Sequence, residues 1–330
     1  MLHIFLMFLK NSLKFLVLCL MLVPVIPALA QDDDLMKLLK NQDTLIPKNE
    51  PVAQPFKGTY VINSHSTKTL GKNNLDFRIT HRFGNIGAQS GGGVHNFYGF
   101  DNASNIRFAF DYGILDNLMI GVGRSKVKEH IDGLVKYRFL TQTTNNKIPL
   151  SVAVMGNTAV TPMKDVNNNY TKFLRRVSYT GQLIISRKFG NIGALEILPT
   201  YVHRNYVQGA INPDNGAAET NGFAALGIAG RVRITSSTSF IFDYYYTFSK
   251  FRQNNPQIPY YMPLAVGIEI ETGGHVFHIN FTNSSGIIEQ DFLESSPDDW
   301  LKGGFKFGFN ISRVFVLGGK EKWKHEEPKE

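Results

Sequence analysis

Charged residues recur at every second position along several stretches of the sequence, a spacing that could build a network of ion pairs. Between Leu75 and Phe83, Asp76, Arg78 and Arg82 alternate with apolar residues. A β-strand points successive side chains to opposite faces, so charges spaced by two share one face. Sorting each stretch by face gives these candidates: Asp76, Arg78, Arg82, Arg107, Asp111, Asp132, Lys136, Arg138, Glu196, Arg204, Arg231, Arg233, Asp243, Glu269, Glu271, His278 and Lys306.

The two signs of charge on this face are nearly balanced. Nine of these residues are basic, seven are acidic, and the last is His278. A channel wall tuned to one sign of solute would carry an excess of the other sign. The set therefore fits charged walls of a selective pore or a salt-bridge network that braces the wall, and the balance favours the brace.

Other arrangements that could do chemistry are weaker. His275 and His278 are three residues apart, so a strand would point them to opposite faces, which disfavours a metal site. His130 and Asp132 share a face and are expected to form a hydrogen bond. The sequence contains no Gly-x-Ser-x-Gly motif. We expect no catalytic residues, no metal and no cofactor.

The elements that position these charges are strands. "NIRFAFDY" places Phe108 and Phe110 opposite Arg107 and Asp111, and this period of two continues along most of the chain. About twelve strands are predicted, near 75–84, 105–113, 117–125, 130–140, 148–160, 173–188, 193–206, 222–235, 238–249, 262–272, 275–283 and 303–316.

The connections between these strands alternate between short turns and long loops, with the short "SKVKEH" as an exception. This alternation is typical of an up-and-down antiparallel barrel in an outer membrane, with periplasmic turns and external loops. The sequence therefore predicts an all-β fold, an outer-membrane barrel of about 12 strands, and an even strand count places both termini in the periplasm.

The apolar face is assigned to lipid and the charged face to the lumen. About eight strands make a barrel whose interior side chains can fill, whereas about twelve leave a wide lumen. A cavity of that width lined by phenylalanine is disfavoured, and the strands have the roughly 9–11 residues needed to cross a bilayer. A soluble secreted β-barrel or sandwich that binds a ligand remains an alternative.

The ends of the chain look different from the barrel. Residues 1–30 combine Lys10 and Lys14, an apolar run and an "ALA" cleavage site, which predicts a cleaved signal peptide for the general secretory pathway, starting at Met1 or Met7. Cys19, the only cysteine, lies inside it, so the mature chain has no thiol chemistry. Residues 31–57 read as a flexible periplasmic leader and 318–330 as a charged periplasmic tail. Removing the two lysines leaves 33 basic against 27 acidic residues, with no basic cluster, so no nucleic-acid partner is expected.

Residues 58–72 are strand-like, but counting them as a strand would make the number odd. Within the barrel domain, residues 58–317, we place this segment in the lumen or across the periplasmic mouth. As a plug it would argue against a permanently open channel.

Two turn predictions follow from glycine. Both copies of "FGNIGA", at 83–88 and 189–194, are expected to end strands at opposite ends of the barrel, with positive φ at Gly or Asn. Gly273–Gly274 are expected to form a type I′ turn. Counting outward from that turn pairs Glu269 with His278.

The segments "STKTLGKNNLDFRITHRFGNIG", "NFYGFDNASNIRFAFDYGILDNLMIGVGRS" and "DGLVKYRFL" resemble an uncharacterised family of bacterial membrane-bound β-barrel domains, one labelled a domain of unknown function. The resemblance runs from about Phe56 to Leu317. It implies an outer-membrane barrel of a Gram-negative envelope and carries over no catalytic residues. We therefore expect a small-solute channel or transporter or a structural envelope barrel, with an outer-membrane hydrolase as an alternative. The expected partners are the lipid bilayer, the lipopolysaccharide leaflet and the barrel-assembly machinery; the sequence leaves the oligomeric state open.

Overall fold

The computed structural model describes residues 50–52 and 54–317, so the predicted signal peptide, most of the leader and the charged tail lie outside the described residues. Twelve strands form a closed barrel in which each strand pairs antiparallel with its neighbours in the chain, and β1 pairs with β12. The strands are β1 (Asn74–Asn85), β2 (Ala103–Leu115), β3 (Leu118–Ser125), β4 (Ile131–Leu140), β5 (Ser151–Val160), β6 (Val177–Phe189), β7 (Gly193–Arg204), β8 (Gly222–Arg233), β9 (Thr238–Phe248), β10 (Leu264–Thr272), β11 (His275–Thr282) and β12 (Lys306–Val316). The predicted fold, an up-and-down barrel of twelve strands, is confirmed.

The strand ends differ by a few residues from those predicted. The largest difference is at the start of β6, where Phe173–Arg176 form a turn of 3₁₀ helix before the strand begins at Val177. In that turn the amide of Val177 bonds back to Leu174 rather than across to a neighbouring strand.

The barrel has a short-turn end and a long-loop end. Connections 116–117, 141–150, 190–192, 234–237 and 273–274 lie at the short-turn end, and 86–102, 126–130, 161–176, 205–221, 249–263 and 283–305 lie at the long-loop end. Gly273 and Gly274 both have positive φ, as a type I′ turn requires. The register around that turn pairs Glu269 with His278, as predicted.

The two "FGNIGA" copies lie at opposite ends of the barrel, but they differ in conformation. Gly190 has φ +52° in the turn between β6 and β7. In the first copy neither Gly84 nor Asn85 has a positive φ, and both remain in β1. That expectation was wrong for the first copy, because the strand continues through a register irregularity between Arg82 and Asn85.

The side chains of the wall alternate between the interior and the outer surface. On β2, Arg107 and Asp111 are 2% and 1% exposed, whereas Phe108 and Phe110 are 43% and 48% exposed. Apolar side chains therefore cover the outside and the charged face is turned inward. Among the described residues, no helix is both long enough and apolar enough to cross a bilayer.

Two segments that are not part of the wall fill the interior. The N-terminal insert, residues 54–72, precedes β1, and its main chain forms an isolated bridge between Tyr60 and His65. The loop insert, residues 283–305, connects β11 to β12 and contains an α-helical turn, α1 (Glu289–Phe292), whose four residues are all buried, and a 3₁₀ turn, Trp300–Lys302. The barrel interior is thus occupied from both ends.

Candidate functional site

The N-terminal insert enters and leaves the barrel at the short-turn end. Before it, the amide of Val52 donates to the carbonyl of Gln142, in the β4–β5 connection. After it, the hydroxyl of Thr69 donates to the carbonyl of Asp116, in the β2–β3 turn (2.7 Å). The insert is therefore a hairpin with both ends at one mouth.

The tip of this hairpin is bound by one carboxylate of the wall. Asp243, on β9, accepts hydrogen bonds from the amides of Asn63 (2.7 Å) and Ser64 (3.2 Å) and from the side chain of Asn63 (3.2 Å). On the opposite side, Arg82 donates to the side-chain oxygen of Asn63 (3.2 Å). The amide of the Asn310 side chain donates to the carbonyl of Ile62 (3.1 Å). Wall residues on three strands therefore hold the tip.

The middle of the hairpin is bound by cations. Lys136 donates to the carbonyls of Thr59 (3.0 Å) and Ser66 (3.1 Å). Arg78 bridges the hydroxyl of Thr59 and the carboxylate of Asp76, at 2.5 Å each. Its guanidinium lies 4.0 Å from the ring centre of Tyr60, a cation–π contact. The same insert buries the apolar side chains of Phe56, Val61, Ile62 and Leu70 in the hydrophobic core, so polar and apolar contacts together hold it.

The loop insert is held by apolar contacts together with side-chain hydrogen bonds. Phe292 and Leu293 are fully buried, and the ring of Phe292 meets that of Tyr245 edge to face at 5.1 Å. Gln290 donates to the side chain of Asn157 on β5 (2.6 Å). Asp291 lies 3.0 Å from Nδ1 of His130. Both ends of the insert continue into strands, so it is fixed to the wall covalently as well.

The two inserts meet inside the barrel. Nε2 of His65, in the N-terminal insert, lies 3.8 Å from Oε1 of Glu289, in the loop insert. Burial raises the pKa of Glu289 to about 8, and burial together with the nearby ammonium of Lys136 lowers the pKa of His65 well below its usual value. Neutral forms of both groups are therefore favoured where the inserts touch.

The wall carries its own buried ion pairs. Arg107 on β2 makes a bidentate contact with Asp132 on β4, at 3.1 and 2.6 Å. Glu269 on β10 accepts from Arg231 on β8 (2.6 Å) and lies 3.3 Å from Nε2 of its partner His278. Such pairs link strands that are neighbours, or separated by one strand, along the wall.

The seventeen sequence candidates occupy two kinds of position. Fourteen are buried in the barrel, and the three others lie at the short-turn mouth: Arg138 and Glu271 are half-buried and Arg233 is exposed. These three keep the inward parity of their strands but stand at strand ends. There Glu271 pairs with Lys57 (2.6 Å), and Arg233 donates to the carbonyl of Thr235 (3.0 Å).

One predicted pair is wrong. His130 does not pair with Asp132, because Asp132 is taken by Arg107, and His130 contacts Asp291 of the loop insert instead. Sequence reasoning also missed His65, Asn157 and Glu289. The run "GIIEQDFLE" is the one signal that could have pointed to α1, since its apolar residues are spaced for burial within a long loop.

The described residues contain no group of three or more His, Cys, Asp or Glu side chains placed to hold a metal ion. The arrangement can hold two inserts inside the barrel. Because Glu289 is protonated more readily there, the strength of its contact with His65 depends on pH.

The chain was compared with family models, curated proteins and solved structures. A family model described as a membrane bound beta barrel domain (DUF5777) matches residues 56–315. In the solved structures, the NanC porin is 12% identical over 73% of this chain and 98% of its own, with a TM-score of 0.43, and the KdgM porin is 7% identical over 74% and 99%, with a TM-score of 0.40. No curated protein matches the sequence. The chain belongs to the family of membrane bound beta barrel domains.

Proposed function

We propose that this protein is an outer-membrane channel for small polar solutes, held closed in this conformation by the N-terminal insert. The observation that carries the proposal is that a hairpin lies inside the barrel, among charged wall residues, while entering and leaving at one mouth. Such a hairpin can withdraw without any strand of the barrel being broken.

The polar contacts of the hairpin suit withdrawal, whereas its buried side chains Phe56, Val61, Ile62 and Leu70 oppose it. Water can replace most of the hydrogen bonds that Asp243, Lys136 and Arg78 make to it, because these wall groups would face a hydrated lumen once the hairpin is gone. A wide lumen lined by both signs of charge admits water once the hairpin is gone. The hairpin continues into the barrel only through β1, since its other end leads to the chain before residue 54.

A structural envelope barrel is the second candidate. The buried pairs Arg107–Asp132 and Arg231–Glu269 favour it, because they brace the wall whether or not solute passes. The two candidates differ in one respect: only the channel needs the hairpin to move.

The proposal includes an orientation and partners. Both termini are periplasmic, export uses a signal peptide and the general secretory pathway, and the barrel-assembly machinery inserts the chain beneath a lipopolysaccharide leaflet. No enzymatic activity is part of it. A tag within 214–222 is expected to be labelled on intact cells, whereas one after Lys324 is not. The reverse pattern would contradict the orientation.

Single-channel conductance in planar bilayers tests the channel directly. The intact chain is expected to stay closed for most of the time, and a variant lacking residues 54–70 is expected to conduct steadily. The loop insert remains in that variant, so its conductance should rise further when α1 is also replaced by a short glycine-serine linker. A deletion variant that inserts into the bilayer and does not conduct would overturn the channel and leave the structural barrel.

A further inference from the structure

The long-loop end contains a cavity that is separate from the contacts of the N-terminal insert with the wall and from the contact between the two inserts. Its volume is about 330 Å³, within the range of small-molecule sites. Its walls come from the connections 161–176, 205–221 and 249–263 and from Glu294 and Ser295 of the loop insert. It therefore lies at the mouth opposite to the one that the N-terminal insert enters.

Part of the charge in this cavity is compensated within the protein. Arg204 lies 3.0 Å from a carboxylate oxygen of Glu219 and 3.0 Å from one of Glu294. Lys128 lies 2.6 Å from the other oxygen of Glu294. The positive charges of Arg204 and Lys128 are thus balanced by the two carboxylates, Glu219 and Glu294.

Three further guanidinium groups line the same cavity, and within the described part of the chain none has a carboxylate within 4.0 Å. Arg175 donates to the carbonyl of Asn169 (3.1 Å). Arg176 donates to the carbonyl of Met163 (2.7 Å). Arg252 donates to the carbonyl of Glu294 (2.9 Å). The cavity therefore has a surplus of three positive charges.

These guanidinium groups are held in place by aromatic rings. Arg252 is only 4% exposed and lies 4.2 Å from the ring centre of Phe223. Arg176 lies 4.8 Å from the ring centre of Tyr170. Ring contacts of this kind fix the plane of a guanidinium while leaving its edge free to donate. Burial and the positive charge of Arg204 lower the pKa of Arg252, which a bound anion would reverse.

We propose that this cavity binds a small organic anion, whose carboxylate or phosphate groups pair with Arg175, Arg176 and Arg252. Guanidinium groups bind both kinds of oxyanion through paired hydrogen bonds, and the cavity accommodates a ligand of about the size of a sugar acid or a tricarboxylate. The charged side chains rather than the rings carry recognition, because the ring faces of Tyr170 and Phe223 are already covered by arginine. Binding at this site does not depend on conduction, so it goes beyond the proposed channel and can fail separately from it.

Isothermal titration calorimetry on the full chain in detergent micelles tests the site, with citrate, glucuronate, glucose 6-phosphate and neutral glucose as probes. We expect saturable binding of anions, weakening as KCl is raised, and none of glucose. Citrate or glucuronate binding alone would assign a carboxylate ligand, and glucose 6-phosphate alone a phosphate ligand. No saturable binding of any anion, or equal binding of glucose and glucuronate, would overturn the proposal.

Variants separate a binding site from loops that are merely braced. The double variant Arg175→Gln, Arg176→Gln changes one exposed and one half-buried side chain of a loop, so the barrel should fold, and affinity should fall by about tenfold or more because charge-assisted hydrogen bonds are lost. Arg252→Gln should do the same and Arg252→Lys should restore part of the affinity. Arg313→Gln, on the outer face of β12, is the matched control and should leave the affinity unchanged. An equal loss in the control, or none in the double variant, would contradict the assignment.

Discussion

The two inserts fill the same barrel but are joined to its wall in different ways. The N-terminal insert is a hairpin bound through hydrogen bonds to Asp243, Lys136 and Arg78, and only one of its ends continues into a strand. The loop insert is anchored by strands at both ends and packs Phe292 against Tyr245. Both inserts bury apolar side chains, Phe56, Val61, Ile62 and Leu70 in the first and Phe292 and Leu293 in the second, so the way they are joined to the wall is what distinguishes them. A segment joined to the wall at one end can leave without breaking a strand, so in the proposed channel the N-terminal insert is the moving part.

The largest expected effect is on the loop insert. Phe292→Ala removes a fully buried ring and leaves a cavity, which typically costs about 3–5 kcal/mol. The loop insert should then be released at a lower urea concentration than in the parent chain. The fluorescence of Trp300, which stacks on Phe305, reports this release. Phe97→Ala, whose ring is 65% exposed, is the control and should not shift that transition. An unchanged transition for Phe292→Ala would mean that the insert is not held by apolar packing.

A smaller effect is expected for the N-terminal insert. Asp243→Asn removes a charged acceptor of two main-chain amides, and hydrogen bonds to a charged group contribute about 1.5–3 kcal/mol. The hairpin should become accessible, measured as faster maleimide labelling of a Ser64→Cys variant. The control is labelling of a Phe97→Cys variant, at a position that is 65% exposed, which should stay unchanged. Labelling as slow as with Asp243 in place would show that this carboxylate does not hold the hairpin.

The pH dependence of the contact between the inserts gives a third effect. Glu289 has a pKa of about 8 in the inserted state against 4.5 ordinarily, so the inserted state holds a proton that the released state gives up in that window. Insertion is therefore weakened as pH rises from 4.5 to 8 and changes little above it. Burial lowers the pKa of His65 in the inserted state. Below its ordinary pKa of 6.5 the released state therefore binds the proton more readily, and insertion is weakened as pH falls.

Between pH 6.5 and 8 the Glu289 contribution dominates and is expected to be about 2 kcal/mol. The charged or titratable groups that face Glu289 are His65 and Tyr60 of the N-terminal insert, Arg107 on β2, Asp132 and Lys136 on β4, and Tyr245 on β9. Hydrogen exchange of the amides of Phe292 and Leu293 measures the change, and Glu289→Gln should flatten it. A pH dependence that survives in Glu289→Gln would assign it to another of these groups.

The wall of this protein could be read from its sequence, and the contents of the barrel could not. A period of two determines both the strands and their faces, and a two-residue glycine turn then fixes the pairing of Glu269 with His278. The inserts have no such period. His130 meets Asp291, and Asn63 meets Asp243, across long chain separations that follow only from how irregular segments fold back into the lumen. Spacing along one strand predicted a pair between His130 and Asp132. It could not show that Asp132 pairs with Arg107, because Arg107 lies on another strand.

The most direct test of the closed channel uses a reversible lock between the N-terminal insert and the wall. The hydroxyls of Thr67 and Ser186, on β6, lie 2.6 Å apart, and the sequence has one cysteine, Cys19, inside the predicted signal peptide. Thr67→Cys with Ser186→Cys should therefore form a disulfide without competing thiols, and each single variant is a control. In planar bilayers under high voltage or dilute urea, we expect no openings when the pair is oxidised and frequent openings after reduction, with the single variants unaffected by reductant. Openings that persist at the same frequency in the oxidised chain would show that solute passes without movement of the hairpin, which would contradict this account.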